Sequence, residues 1–452
     1  MLLSRQAWPN EAIMAAFSWI DLVISDRKGE RYMQSVEAPQ HQPGSSPIPS
    51  GTPRKSRLTR RAFVAATSAL TGVLAAAGLP AARARAGHAP SRPTSKRPPP
   101  SDDLVSYEEA YLAFRCHGFH LEGLSYPITP LGMHYLLMHF DIPRLEQVSP
   151  YQVAILGHVR KPMVLTLDQL KTRPTVTQPM LLECAGNGRA LLHPRPVYVP
   201  WFNEAIGVYE YTGIPLRPLL EEAGVLDGAV DVVFTGWDQG VDLGVHHAFE
   251  RAMPIEEALR DGNLLAWNAN GQSLLPQHGW PLRFVANGWY GMQSVKWLKA
   301  ITVLNEKFTG VENQKVYRIT DSADEPGTPV TRQSVRALVQ PPGIPDLFTR
   351  HRFLSPGTHV LNGMAWSGWG AIARVELSVD GGGIWADAEL LKPVSPYAWT
   401  PFRFTWQDVG LGDYELVPRA TDSAGNIQPL EPFWNYQGMA QNGVQRVPVT
   451  VV

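Results

Sequence analysis

Cysteine is almost absent from this chain of 452 residues, which contains only Cys116 and Cys184. Two cysteines exclude a disulfide framework, since at most one bridge can form. Long apolar runs are also missing: those near residues 12–24 and 64–79 are shorter than the ~18 residues that a membrane-spanning helix needs. Charge of one sign is not in excess, with 40 basic and 41 acidic residues. This balance argues against nucleic acid or another polyanion as a partner.

Proline, glycine and tryptophan are plentiful, with 40, 39 and 14 residues. Such a composition is typical of a protein rich in strands and loops, and the length is sufficient for two or three domains. A Cys-x-x-Cys-His sequence, which would attach a c-type haem, does not occur. If the chain takes electrons from a substrate, those electrons must therefore leave to a separate partner.

The N-terminal region has the pattern of an export signal. Arg60 and Arg61 precede an apolar stretch at 64–79, and small residues follow in Ala-x-Ala spacing at 84–86. A basic flank, an apolar middle and a small-residue exit define a secretory signal, and the paired arginines indicate twin-arginine export of a folded protein to the periplasm. We expect a disordered extension at 1–56, the signal peptide at 57–86 and a linker at 87–101. A lone transmembrane helix at 64–79 is the alternative interpretation.

The remaining sequence predicts an α+β protein of two domains. Within 102–334, apolar runs and glycine punctuation predict strands at 153–157, 163–165, 230–235, 264–268 and 282–286 and helices at 107–114, 167–170, 219–224 and 253–260. Within 335–452, helical patterns disappear. Short alternating strands are expected there at 360–366, 372–379, 402–406 and 414–420, and Asp-Gly-Gly-Gly at 380–383 predicts a hairpin. This second part is typical of an immunoglobulin-like sandwich.

The sequence Leu-Leu-Glu-Cys-Ala-Gly-Asn-Gly-Arg at 181–189 predicts a strand that delivers Cys184 to a tight loop. The two glycines let the backbone turn and approach a bound group closely, and Arg189 can fold back over the thiol. A thiolate is a soft ligand that suits a transition metal, and a nearby arginine favours the thiolate and binds oxyanions. The alternative is that Cys184 is a small buried hydrophobe, as most free cysteines are.

This stretch resembles the cysteine motif of the sulfite oxidase family of molybdenum enzymes. Further similar segments follow in the same order: Asn-Gly-Gln at 270–272, His-Gly-Trp-Pro-Leu-Arg at 278–283, Val-Lys-Trp-Leu at 295–298, Ala-Trp-Ser-Gly at 365–368 and Val-Asp-Gly-Gly at 379–382. Within the family, the sequence is most similar to sulfane dehydrogenase subunits of the Sox thiosulfate-oxidising system. The resemblance implies a molybdopterin-binding domain at 102–334 and a dimerisation domain at 335–452.

The resemblance also implies which residues form the site. Cys184 is the candidate molybdenum ligand, and the residues expected to line the molybdopterin are His139, Asp238, His278, Arg283, Ser294 and Lys296. The substrate is expected to contact Arg189, Trp201 and Tyr317, with Arg189 and Tyr317 taking part in catalysis. Taken singly, each has an ordinary interpretation: a core histidine for His139, a turn former for Asp238, a solvated surface charge for Lys296, and packing aromatics for Trp201 and Tyr317.

One departure from the family bears on the substrate. The sulfite-binding arginine expected two residues before His139 is Leu137, and Trp369 and Gly370 stand where a second pocket arginine is expected. A small dianion such as free sulfite would need those charges. The absence of these two arginines favours oxidation of the outer sulfur of a cysteine persulfide on a carrier protein. The resemblance also implies that the electrons pass to a c-type cytochrome and that the protein forms a homodimer or heterotetramer.

Other functions remain open from the sequence. A periplasmic sulfite dehydrogenase would have the same fold, and a non-catalytic immunoglobulin-type assembly protein could have kept the fold without the cofactor. A cysteine-nucleophile hydrolase has no supporting local signature. Cys116, in Phe-Arg-Cys-His-Gly at 114–118, is expected to be a free thiol without a metal or redox role.

Overall fold

The computed structural model describes residues 107–452. The predicted extension, twin-arginine signal and linker all lie outside these residues. The helices are α1 (Tyr107–Ala113), α2 (Leu167–Lys171), α3 (Leu216–Ala223) and α4 (Ile255–Ala258). The strands of the first part are β1 (Gln152–Gly157), β2 (Met163–Thr166), β3 (Val176–Glu183), β4 (Ile206–Pro215), β5 (Asp231–Asp242), β6 (Val245–Pro254), β7 (Leu264–Ala269), β8 (Gln272–Ser273), β9 (Arg283–Val285), β10 (Leu298–Leu304), β11 (Arg318–Ile319) and β12 (Thr328–Pro329). Those of the second part are β13 (Arg336–Val339), β14 (Ile344–Pro345), β15 (Arg352–Leu354), β16 (Gly357–Trp366), β17 (Ile372–Ser378), β18 (Ala386–Asp387), β19 (Glu389–Leu390), β20 (Thr400–Val409), β21 (Gly412–Asp422) and β22 (Val447–Val451).

Two five-stranded sheets organise the first part. One has the order β2-β1-β10-β5-β6, in which β1 and β10 are parallel. The other has the order β3-β4-β7-β8, with β9 paired to β7. Because β3 is antiparallel to β4 along its whole length, its register fixes where residue 184 leaves the sheet.

Capping residues set the ends of two of the short helices. Thr166 caps α2: its hydroxyl accepts from the Gln169 N–H at 3.1 Å, and the Gln169 side chain accepts from the Thr166 N–H at 2.8 Å. This reciprocal pair satisfies two backbone donors that a helix start leaves free. Gly224 ends α3 in a left-handed conformation, as predicted.

The predicted helix at 253–260 is too long. Met253 belongs to β6, where it pairs with Val232 and is buried, and only Ile255–Ala258 is helical. Pro254 is the last residue of β6 and directly precedes α4, because proline has no N–H to continue a strand ladder but is tolerated at the start of a helix.

The second part is all-β, as predicted. A four-stranded sheet β13-β16-β20-β19 and a six-stranded sheet β14-β15-β22-β21-β17-β18 enclose one apolar core. The turn at 380–383 lies between β17 and the paired strand β18, which confirms the hairpin. A further cluster joins the two parts, because Leu181 and Val208 pack in one core with Leu338, Trp366 and Trp399. Within 107–452, no helix combines the length and apolar character needed to cross a bilayer.

Candidate functional site

Cys184 comes directly after β3, on a loop shaped by two glycines. Its backbone N–H donates to the Ala205 carbonyl at 2.9 Å, and the Gly186 N–H donates to its sulfur at 3.4 Å. Gly188 has a φ of +94°, a left-handed conformation that other residues rarely adopt. The strand that delivers Cys184 to a tight loop is therefore confirmed.

Cys184 is buried, with 7 % of the residue exposed. Burial raises its pKa to about 11, although the Arg189 charge and the Gly186 N–H both favour the thiolate. A thiol with this pKa is protonated at neutral pH, and a bound metal cation would displace the proton and hold the sulfur as thiolate. Cys184 packs among apolar side chains and also lines two adjoining cavities.

Arg189 folds back over the cysteine loop. A Cβ on Gly186 would lie 2.4 Å from one of its guanidinium nitrogens, so glycine is required there for the close approach. The guanidinium donates from Nε to the Gln437 carbonyl at 2.8 Å and from Nη1 to the Val199 carbonyl at 2.9 Å, and Nη2 contacts the Met439 sulfur at 3.5 Å. Three of its five N–H donors are thus engaged within the protein.

The first cavity, which we call the basic cavity, brings together the predicted cofactor residues. It is lined by all six of them, His139, Asp238, His278, Arg283, Ser294 and Lys296, together with Cys184, Tyr317 and others that include His134 and Leu137. These residues come from widely separated points of the chain and from both sheets. Among the residues that the structure describes, no group of three or more His, Cys, Asp or Glu side chains is arranged to hold a metal ion.

Backbone carbonyls hold the cations of the basic cavity in place. Arg283 donates to the carbonyls of His278 at 3.1 Å and Ser294 at 3.0 Å. Lys296 Nζ donates to the carbonyls of Leu137 at 3.0 Å and Gln277 at 3.2 Å. Lys296 is half-buried in the cavity wall, so its interpretation as a solvated surface charge is wrong.

Burial controls protonation in this cavity. It lowers the pKa of His139 and of His134 to about 3 and that of His278 to about 2, so the three imidazoles are neutral at neutral pH. Burial also lowers the pKa of Lys296 and raises that of Asp238, and in each case the charge of the other residue opposes the shift.

Several buried polar atoms here have no partner among the described residues. They are Asp238 Oδ1, Arg283 Nε and His134 Nε2. Unpaired buried polar atoms are costly and call for a ligand or an ion. The ligand that these atoms suit carries both phosphate and ring N–H groups. The Arg283 guanidinium can donate to phosphate, the Asp238 carboxylate can accept from a ring N–H, and the Cys184 thiol lies beside them. The residues present therefore fit molybdopterin.

The second cavity, which we call the thiol cavity, has a volume of about 240 Å³ and is lined by both cysteines. Arg189, Trp201 and Tyr317, the predicted substrate residues, all line it. It shares Leu137, His139, Cys184 and Tyr317 with the basic cavity. The shared wall places Cys184 between the predicted cofactor residues and the predicted substrate residues.

Tyr317 and His139 are linked within this shared wall. The Tyr317 hydroxyl hydrogen-bonds to His139 Nε2, and the Arg251 guanidinium lies 5.0 Å from the centre of the tyrosine ring. Burial raises the pKa of Tyr317, which keeps its hydroxyl protonated and able to donate. Leu137, at the position of the missing arginine, presents an apolar side chain to both cavities.

Some residues of the site were missed from the sequence. Glu312 and Met439 line the thiol cavity, and Arg251 supports Tyr317 from behind. Cys116 is a free thiol, as expected, but it lies in the same cavity as Cys184. Glu312 could have been suspected from the sequence, because it lies five residues before Tyr317. Met439, Arg251 and Cys116 gave no such signal, because their segments reach the site only through tertiary packing.

A buried network ties the cysteine loop to the second part of the chain. Glu183 accepts from Arg336 at 3.0 Å, from Trp366 Nε1 at 2.8 Å and from Asn187 at 3.0 Å. Glu183 and Arg336 are both almost completely buried, at 0 and 1 % exposure. The Ala-Trp-Ser-Gly segment at 365–368 therefore acts structurally, since its tryptophan holds the carboxylate that precedes Cys184.

Comparison with known proteins identifies both parts of the chain. Residues 139–312 match the oxidoreductase molybdopterin binding domain, and residues 337–452 match the Mo-co oxidoreductase dimerisation domain. A solved structure, the sulfane dehydrogenase SoxCD from Paracoccus pantotrophus, matches with a TM-score of 0.64 and 25% sequence identity, covering 81% of this chain and 96% of that one.

Curated relatives include NADH nitrate reductases. The one from Solanum lycopersicum is 29% identical over 366 residues, and one from Oryza sativa subsp. japonica is 30% identical over 363 residues. Each match covers 74% of this chain but only 39% and 38% of the relative. The chain thus spans about two-fifths of the length of these reductases.

Proposed function

The chain belongs to the sulfite oxidase family of molybdopterin enzymes, and we propose that it oxidises the outer sulfur of a cysteine persulfide held on a carrier protein. The observation that carries this proposal is the position of Cys184 in the wall shared by the basic cavity and the thiol cavity. When bound, the molybdenum–pterin centre would supply a two-electron oxidation that adds an oxygen atom from water to sulfur. The roles below follow from the chain's own residues.

Cys184 would be the single protein ligand of the metal. Arg283 and Lys296 would bind the phosphate, because guanidinium and ammonium groups form strong charge-assisted bonds to phosphate oxygens. Asp238, with its unpaired Oδ1, would accept N–H groups of the pterin. His139, His278 and Ser294 would complete the lining of the cofactor.

In the thiol cavity, Arg189 and Tyr317 would position the substrate sulfur beside Cys184. Leu137 contributes no charge, and most Arg189 donors are engaged by the protein. Asp242 and Glu312 add two carboxylates to the same wall. A free dianion would be repelled there, whereas a persulfide presented on a carrier brings a single negative charge. The similarity to a solved sulfane dehydrogenase supports the same substrate class.

We further propose periplasmic location after twin-arginine export, a homodimer or heterotetramer, and a c-type cytochrome as electron acceptor. The dimerisation-domain match at 337–452 supports an oligomer. The paired Arg60 and Arg61 support the export route.

The test uses purified exported protein with cytochrome c as acceptor. Persulfidated carrier protein should reduce the cytochrome, whereas free sulfite should require a far higher concentration. Cys184→Ser should lose this activity and bound molybdenum, whereas Cys116→Ser should keep the molybdenum, because Cys116 does not line the basic cavity. Protein that carries neither molybdenum nor pterin would contradict the proposal.

Oxidation of free sulfite is the second candidate, and the buried guanidinium of Arg189 in the thiol cavity favours it. The same assay separates the two. High turnover on micromolar sulfite, with none on the persulfidated carrier, would replace the first proposal by this one.

A further inference from the structure

Glu312 connects the thiol cavity to the protein surface. Its side chain lines the cavity and is 2 % exposed. One carboxylate oxygen, Oε1, is 3.1 Å from His247 Nε2, and the other, Oε2, is buried without a partner among the described residues. The His247 side chain is 14 % exposed, so the pair leads from the cavity towards solvent.

The surrounding structure holds this pair in position. Glu312 begins a π-helix, Glu312–Val316, and its carbonyl accepts from the Arg251 guanidinium at 2.6 Å. A single π-helical turn inside other structure is often found at functional sites. His247 lies on β6, and its Nδ1 hydrogen-bonds to the Val245 carbonyl at 2.9 Å. The tautomer with hydrogen on Nδ1 leaves Nε2 free to accept a proton from Glu312.

The ionisable groups that face Glu312 come from several elements. They are Asp238 and Asp242 of β5, His247 and Arg251 of β6, Tyr198, and Tyr317. Tyr317 keeps its proton because burial raises its pKa, and its partner His139 stays neutral because burial lowers its pKa to about 3. Arg251 keeps its charge at neutral pH, with a pKa of about 10. Asp242 also lines the cavity and is half-buried, whereas Glu312 is the buried carboxylate that is hydrogen-bonded to a histidine reaching solvent.

The proposed reaction must release protons from the cavity. Each step that adds one oxygen to the sulfur follows R–S–S⁻ + H₂O → R–S–SO⁻ + 2 H⁺ + 2 e⁻, with the electrons going to a one-electron cytochrome acceptor. The cavity volume of about 240 Å³ leaves room for several waters beside a small substrate group. Glu312, whose unpaired Oε2 lies in the cavity wall, is placed to take up these protons.

We propose that Glu312 and His247 are the proton exit of the thiol cavity. Starting from carboxylate and imidazolium, His247 releases one proton to solvent and Glu312 takes one from cavity water on Oε2. Rotation of the carboxyl group then passes that proton to the free His247 Nε2, which restores the carboxylate and the imidazolium for the second proton. This inference rests on the proposed function, since it assigns the protons of that reaction.

The variants are Glu312→Gln, which keeps the shape and removes proton transfer, and His247→Gln. His246→Gln is the matched control, because His246 is the exposed neighbour on the same strand and lies outside both cavities. Stopped-flow mixing of oxidised holoenzyme with persulfidated carrier follows cytochrome reduction, while a pH-indicator dye follows proton release. Glu312→Gln and His247→Gln should each slow proton release by about 10²-fold or more, and His247→Gln should do so with KM nearly unchanged, because His247 lies outside both cavities. Formate should restore part of the rate to Glu312→Gln.

A second readout does not depend on turnover. The bond to Glu312 raises the pKa of His247. Titration of ¹³C-labelled histidine in the holoenzyme should therefore show a lower His247 pKa in Glu312→Gln than in the wild type and in His246→Gln. Wild-type proton release in Glu312→Gln, or an unchanged His247 pKa, would overturn the relay. Failure of the wild-type enzyme to oxidise any sulfur compound would instead refute the proposed function, while the titration would still report on the pair.

Discussion

Removal of Arg336 should destabilise the protein strongly, because it leaves the Glu183 carboxylate buried without its cation. Both side chains are almost completely buried. Arg336 also donates to the carbonyls of Asn187 at 3.2 Å and Gln441 at 2.9 Å, which would lose a donor. Breaking a buried ion pair from one side costs about 3–5 kcal/mol. We therefore expect Arg336→Leu to lower the free energy of unfolding by about that amount.

A double-mutant cycle isolates the ion pair. Glu183→Gln removes the buried negative charge. Arg336→Leu should therefore lower the free energy of unfolding by less in the Glu183→Gln protein than in the wild type, and we expect a coupling energy between the two residues of about 2–3 kcal/mol. Burial raises the pKa of Glu183 and the Arg336 charge opposes that rise. Without Arg336 the pKa rises further, so the carboxyl takes up a proton more readily as the pH falls. The cost of Arg336→Leu should accordingly be smaller at pH 5.5 than at pH 8.

The assay is urea unfolding followed by tryptophan fluorescence, since Trp366 contacts Glu183. Arg350→Leu is the control: it removes an exposed pair with Glu122 and should change the unfolding free energy by less than about 1 kcal/mol. A cost for Arg336→Leu as small as that of the control, or the same cost with and without Glu183→Gln, would refute the reasoning. Loss of molybdenum in Arg336→Leu at unchanged stability would instead show that the network positions the Cys184 loop.

Three further predictions concern the cavities. Gly186→Ala should displace the Arg189 guanidinium, which loses a charge-assisted contact to the substrate and raises KM by about 10-fold or more in steady-state kinetics. An unchanged KM would contradict the close packing of Arg189 on Gly186. Lys296→Met should weaken cofactor retention about 10–100-fold, measured as molybdenum per chain, and full molybdenum content would count against its role. In Cys184→Ser, alkylation of Cys116 by iodoacetamide should accelerate up to and beyond pH 9, because burial raises the thiol pKa; a plateau below pH 9 would disprove that shift.

Much of the fold could be predicted from local patterns. Residue spacing and turn chemistry predict three features of the fold: the strand before Cys184, the capped helix that ends at Gly224, and the change to short alternating strands after residue 335. The helix at 253–260 could not be predicted correctly, because pairing with Val232 draws Met253 into β6. Tertiary pairing overrides a weak local preference in such cases.

The sequence by itself determined the family, the strand that delivers Cys184 to a glycine-containing loop, and the separation into an α+β part and an all-β part. These are set by residue identity and short-range spacing, which the chain carries wherever it folds. Only the tertiary structure decided that Cys116 and Glu312 share a cavity with Cys184, that Met439 closes over Arg189, and that Trp366 holds Glu183. Those contacts join residues up to 250 positions apart. They depend on how sheets and loops pack against each other, and no local pattern encodes that packing.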